Sequence, residues 1–110
     1  MTNKECIFCA IIQGSFPTEI IKETKNLIVI KDISPQAPIH YLIIPKKHYH
    51  DLQSVPTDEC CMLSAMLKTA QELGKDAGDF KLVVNNGFSA GQRVFHLHMH
   101  FLAGKELEGI

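Results

Sequence analysis

The chain lacks any apolar run long enough to cross a bilayer. Its early apolar run, residues 6–12, follows Lys4 and Glu5 and has no small-residue cleavage pattern after it. Neither a membrane span nor a secretory signal is expected. An excess of charge is also missing: 11 basic residues face 12 acidic ones, for a net charge of -1. No basic field draws the chain to nucleic acid or an anionic membrane, so a nucleotide would have to be gripped by local geometry. Repeats, low-complexity segments and linkers are absent, as are P-loop and dinucleotide fingerprints. What is there is ordinary for a soluble globular protein: 45% hydrophobic and 21% charged residues in a length of 110. The expectation is one domain over residues 1–110 in the cytoplasm. The four cysteines are then expected as thiols or metal ligands rather than disulfides. A bridge between the neighbours Cys60 and Cys61 inside a helix would be strained.

The informative stretch is His96-Leu97-His98-Met99-His100-Phe101-Leu102. Three of the six histidines stand at alternate positions. In a strand, that spacing puts His96, His98 and His100 in one row and Leu97, Met99 and Phe101 on the opposite face. Three imidazoles in a row concentrate groups that can attack, accept a proton or bind metal near neutral pH.

The rest of the chain supplies elements around this row. Residues 6–13 predict a short helix capped by Gly14. Its Ile7, Phe8, Ile11 and Ile12 could serve as core or as the apolar wall of a pocket. Residues 20–23 and 27–31 predict a hairpin around Thr24-Lys25-Asn26. Asp32 follows, at the mouth of a proline-braced loop. It could cap that loop by accepting backbone N–H groups or accept sugar hydroxyls. His40 opens a β-strand ended by Pro45. Lys46 and Lys47 are expected as a solvated pair. Residues 57–77 predict one long helix, with Thr57 as N-cap and a core-facing stripe of Met62, Met66, Ala70, Leu73 and Ala77. Residues 81–85 predict a strand paired antiparallel with the histidine strand, which is expected from Val94 onward. The small and polar residues 86–93 between them could curl backbone N–H groups around an anion. The tail is expected to be loosely held.

Alternate strand positions are about 6.6 Å apart, so the Cα atoms of His96 and His100 would be roughly 13 Å apart. All three imidazoles could not easily share one catalytic metal, which wants three protein ligands and an open position. Nucleophilic catalysis suits the row better. A neutral imidazole attacks phosphorus when one nitrogen is free and an acceptor holds the other. A loop of N–H donors would steady the phosphoryl oxygens. This chemistry needs no catalytic cofactor.

HLHMHFL matches the pattern His-φ-His-φ-His-φ-φ, with φ apolar, at all seven positions. With DISPQAP before His40, LIIPKKH, VVNNG and AGQRVFHLHMH, the chain resembles the histidine triad (HIT) superfamily from about Cys6 to Gly104. It looks most like the Hint-type nucleotide-binding branch. The resemblance implies an α+β fold with an antiparallel sheet of about five strands, one long helix and one short helix. It also implies a homodimer whose sheet extends to ten strands. The implied activity is hydrolysis of purine nucleoside phosphoramidates and aminoacyl adenylates through a nucleotidyl-histidine. The alternatives are dinucleoside polyphosphate hydrolysis or non-catalytic purine nucleotide binding.

Carried over, His98 is the nucleophile, His100 bonds the phosphate, and His96 acts from behind with His40 as its relay partner. Asp32 holds the ribose. Asn85, Gly91, Gln92, Arg93 and Val94 meet the phosphate, and Ile7, Phe8, Ile11 and Ile33 form the purine slot. Members similar to this chain hold a structural zinc at positions matching Cys6, Cys9, His48 and His96. Position 93 is often a small hydroxyl residue in this branch. Arg93 cannot accept a hydrogen bond and stays charged, and it is expected to point to solvent.

Overall fold

Apolar residues in β-rich runs build five strands, and two helices of unequal length cover the two faces they make. A computed structural model describes residues 6–108; Lys4, Glu5 and the last two residues of the tail, Gly109 and Ile110, lie outside the described residues. The elements are α1 (Ile7–Ile12), β1 (Ile20–Glu23), β2 (Leu27–Lys31), β3 (Ile39–Pro45), α2 (Cys60–Ala77), β4 (Phe80–Val83) and β5 (Met99–Ala103). Sheet order is β1-β2-β3-β5-β4, and every neighbouring pair is antiparallel. This is the expected α+β fold, with one long and one short helix.

The apolar run of α1 stops where Gly14 adopts φ +81° and donates its N–H to the Ile11 carbonyl at 3.0 Å, a conformation that favours glycine. The central strands β2 and β3 are each buried over four consecutive residues, as strands covered on both faces must be. Alternation then divides the interior. Val29, Ile43, Met99 and Phe101 face α2, where Met66 and Ala70 are buried and Met62, Leu63, Leu73 and Ala77 pack around them. Ile28, Ile30, Leu42 and Ile44 face the other way, against Cys6, Phe8, Cys9 and Ile11 of the α1 segment.

Several elements differ from expectation. The long helix starts at Cys60, after a 3-10 turn at Thr57–Glu59, and Thr57 does not cap it. The carboxylate of Glu59 is taken by Tyr49 Oη at 2.6 Å and Lys47 Nζ at 2.7 Å. Lys47 is therefore paired rather than merely solvated, and Lys46 likewise pairs with Glu23 at 2.6 Å. β4 ends at Val83, opposite His100, so Asn85 belongs to the following loop. Within the tail, residues 105–108 line a groove with Gln36, Lys81, Val83 and Leu102. Among the described residues, no helix is long and apolar enough to cross a membrane.

Candidate active site

The histidine strand begins pairing at Met99, not at Val94. The segment ahead of it is held at and beyond the end of β3: His96 Nε2 donates to the Pro45 carbonyl at 2.7 Å, and the Leu97 N–H donates to the Tyr49 carbonyl at 2.7 Å. The alternation survives this irregular start. Leu97 joins the α2-side core. The Phe8 ring meets His96 and His98 edge-on at 5.8 and 5.0 Å, and the His98 and His100 rings are 5.3 Å apart.

Hydrogen-bond partners that can act only one way assign the tautomers. His98 Nδ1 lies 2.8 Å from the His96 carbonyl. A carbonyl only accepts, so Nδ1 carries the proton and Nε2 keeps a lone pair. Burial pushes the His98 imidazole below its ordinary pKa, against the opposing pull of that carbonyl and of Asp32, so the ring is neutral at neutral pH. On the other side, the Gln36 N–H donates to His40 Nδ1 at 3.1 Å. The His40 proton is therefore on Nε2, which donates to His100 Nδ1 at 2.9 Å and lies 3.5 Å from Asp32 Oδ2. His100 consequently presents an Nε2–H donor. Burial first, then the neighbouring His98 and His40, lower His100 to about 4.

His40 thus partners His100, whereas the resemblance paired it with His96. The strand register explains this. His40 stands opposite Leu102 and Leu42 opposite His100, so His40 and His100 are diagonal neighbours on one face. His96 lies beyond the paired region, at the Pro45 end of β3.

There His96 is fully buried and faces sulfur. With Nε2 donating to Pro45, its Nδ1 lone pair points toward Cys6 Sγ at 3.3 Å and Cys9 Sγ at 3.6 Å. His48 Nδ1 is 3.3 Å from Cys9 Sγ. The four donor atoms all lie within 4.8 Å of one another. Tetrahedral zinc with bonds of about 2.3 Å to sulfur and 2.0 Å to nitrogen sets its ligand atoms roughly 3.3–3.8 Å apart, so this donor set fits that ion. Burial lowers His96 to about 4 and raises the Cys6 thiol.

The loop before the histidines is braced from within. Gly87 and Gly91 adopt φ +96° and +102°. Gln92 is 1% exposed. Its Oε1 accepts from the Gly87 N–H at 2.8 Å, and its Nε2 donates to the carbonyls of His50 and Val94 at 2.9 and 3.1 Å. Its side chain is therefore committed to the loop, not displayed to a ligand. Asn85 Nδ2 donates to the Ala90 carbonyl at 2.9 Å. The N–H groups of Ala90, Gly91 and Gln92 also bond inside the loop. Among the described residues, those of Arg93 and Val94 have no internal partner, so the donors able to meet an anion are fewer than the loop's composition suggests.

Of the remaining positions, Asp32 Oδ1 accepts the Ser34 N–H at 2.7 Å, which is the loop-capping role. Phe8 and Ile11 are buried, Ile7 sits at the surface, Val94 packs on the α1-side cluster, and Ile33 is 92% exposed. Three contributors were missed in the sequence: the Gln36 N–H, the Pro45 carbonyl and the His50 carbonyl. Each acts through its backbone, which leaves no side-chain signature.

Comparison with known proteins gives concordant matches. The family model described as scavenger mRNA decapping enzyme C-term binding matches residues 5–109. An uncharacterized HIT-like protein of Chlamydia muridarum is 46% identical over 107 residues, covering 94% of this chain and 85% of that one. A HIT family hydrolase from Clostridium thermocellum superposes with a TM-score of 0.93 at 38% identity, covering 99% and 98% of the two chains. A zinc-bound histidine triad family protein from Mycobacterium smegmatis superposes at 0.81 with 33% identity, covering 92% and 76%.

Proposed function

The chain belongs to the histidine triad family, and from that premise we propose that it is a hydrolase of purine nucleoside phosphoramidates and aminoacyl adenylates. The observation that carries this reading is the His98 tautomer: Nδ1 is bound to the His96 carbonyl at 2.8 Å, so the unprotonated Nε2 of a half-buried ring is left to attack. His98 Nε2 attacks the α-phosphorus as the bond to the leaving nitrogen or acyl oxygen breaks. The leaving group departs with that electron pair, a nitrogen taking a proton from water as the bond breaks. His100 Nε2–H and the Arg93 and Val94 N–H groups donate to the non-bridging oxygens, whose charge grows in the transition state. Water then cleaves the histidine–phosphorus bond, releasing the nucleotide and restoring His98. The match to a HIT family hydrolase supports hydrolysis at the coarse level.

In this reading Phe8, Ile7, Ile11 and Ile33 hold the purine. Asp32 accepts ribose hydroxyls through Oδ2, since Oδ1 is engaged by Ser34. Gln92 acts by bracing the loop that carries Arg93 and Val94. Cys6, Cys9, His48 and His96 would hold a structural zinc, as the zinc-bound neighbour supports. That ion would supply a cross-link between the α1 segment and the histidine segment. The chain would act as one domain, in the cytoplasm, as a homodimer extending the sheet to ten strands across an edge strand. Sedimentation at micromolar concentration should show the dimer; monomer alone would remove that part.

The test of the activity is intact-mass analysis after rapid quench with an adenosine phosphoramidate. We expect a nucleoside monophosphate adduct on His98. His98→Asn should abolish it and lower hydrolysis at least about a thousandfold. Undiminished hydrolysis in that variant would refute the nucleophile assignment.

A further inference from the structure

Arg93 is folded into a defined pose on the loop that leads into the histidine row. Its Nη1 donates to the Phe88 carbonyl at 2.8 Å and the Gln92 carbonyl at 3.1 Å. Its guanidinium carbon lies 4.1 Å from the centre of the Phe88 ring. Phe88 sits in a 3-10 turn, Phe88–Ala90, closed by Gly91 and backed by the buried Gln92. A guanidinium has five N–H donors, so these bonds leave its outer edge free. Among the described residues, no carboxylate pairs with it. A cation held by two carbonyls and an aromatic face, with its charge unneutralised, loses little freedom on meeting an anion.

Its place relative to the reaction follows from the chain. Val94, the next residue, packs on the cluster containing Phe8, and Phe8 meets His98 at 5.0 Å. Val94 therefore turns inward while Arg93 is exposed beside it. In an in-line displacement the leaving group points away from the attacking atom. The half-buried His98 attacks from the protein side, so the leaving group emerges toward solvent, the side on which Arg93 is exposed next to Val94.

We infer that Arg93 is a specificity-determining residue that selects leaving groups bearing a carboxylate, namely amino acids joined through their amine to the nucleotide phosphorus. This rests on the phosphoramidase reading and names its substrate class. The phosphorus–nitrogen bond breaks as the His98 Nε2–phosphorus bond forms. Nitrogen keeps the electron pair, takes a proton from water, and departs as the amino acid with its carboxylate unchanged. Arg93 contacts that carboxylate, which is why charge on the leaving group registers in the rate.

The test uses the full chain and two substrates, adenosine monophosphate linked through phosphorus to the amine of glycine or of glycinamide. They differ only in carboxylate against neutral amide. We expect kcat/KM to favour the glycine compound about fivefold at low salt, and the ratio to shrink toward one with rising ionic strength. Arg93→Gln should bring the ratio near one, and Arg93→Lys should restore part of it. An absent preference in the parent protein, a preference surviving in Arg93→Gln, or equal losses for both substrates in that variant would overturn the inference. If neither compound is hydrolysed, the phosphoramidase reading fails. Calorimetric binding of the two compounds to His98→Asn, with and without Arg93→Gln, then decides the role of Arg93. Tighter binding of the glycine compound that vanishes with the arginine upholds it, and equal binding overturns it.

Discussion

The two faces of one sheet are built on different principles. The α2 face is closed by an 18-residue helix, and its buried positions are almost all apolar: Val29, Ile43, Met66, Leu97, Met99 and Phe101. The α1 face is covered by a helix of six residues, and there two thiols and two imidazoles are buried beside Phe8 and Ile11. On the first face stability comes from area removed from water, about 1.5–3 kcal/mol for each large side chain. On the second, each polar group needs a partner, because a buried orphan costs about 1–3 kcal/mol. Among the described residues, no buried side-chain nitrogen or oxygen lacks one. One strand feeds both faces by alternation. The chemistry therefore sits on a scaffold whose main cohesion lies behind it.

The sharpest break of this comparison pairs a substitution on each face. Phe101 is fully buried against α2, and Phe101→Ala should cost about 3–5 kcal/mol by urea denaturation, with or without a chelator. Cys9→Ser should remove zinc from protein purified without chelator. It should also cost stability only relative to metal-loaded protein, so that chelator no longer shifts its midpoint. Equal chelator sensitivity in parent and Cys9→Ser would sink the zinc assignment. So would less than about a tenth of an equivalent of zinc in the parent protein.

What was legible in the sequence follows the same division. Local periodicity revealed the hairpin, the Gly14 cap, the α2 stripe and the face of the histidine row, because those depend on neighbours in the chain. The partner of His40 did not show, because it depends on the register between β3 and β5. The start of β5 depends on where β3 stops offering partners. Thr57 reads as an N-cap from composition, but Glu59 is drawn to Tyr49 and Lys47, and the helix begins later. The resemblance implies a phosphate-meeting role for Gln92. Only the folded loop shows its amide surrounded by Gly87, His50 and Val94.

A smaller effect separates a contact with substrate from one acting behind it. His40 is 4% exposed and fixes the proton of His100 on Nε2. His40→Ala frees His100 to hold its proton on Nδ1, which turns Nε2 from donor to acceptor. We expect kcat/KM to fall about tenfold, or about 1.4 kcal/mol, and His40→Gln to recover most of the loss by donating to His100 Nδ1. Equal activity in the two variants would show that tautomer control is not what His40 contributes.

The smallest expected effect is a weakened pH dependence, and it comes from the face that carries the histidine row. Both His98 and His100 have pKa values lowered mainly by burial, His100 to about 4. A lowered pKa keeps the neutral form as pH falls, so the His98 lone pair and the His100 Nε2–H both persist below the ordinary imidazole range. An imidazole with the usual value of about 6.5 would lose roughly fourfold in neutral form between pH 8 and pH 6; because burial lowers His98, kcat/KM should fall by less than that over the same range. Stability should behave differently over the same range. The unfolded chain takes up these protons at about 6.5 and the folded chain only at lower pH. Stability is therefore full above 6.5 and falls as pH drops toward the folded values. An acid limb in kcat/KM centred near 6.5 would mean that the attacking imidazole is solvated in the working protein, and that the α1 face is open rather than closed.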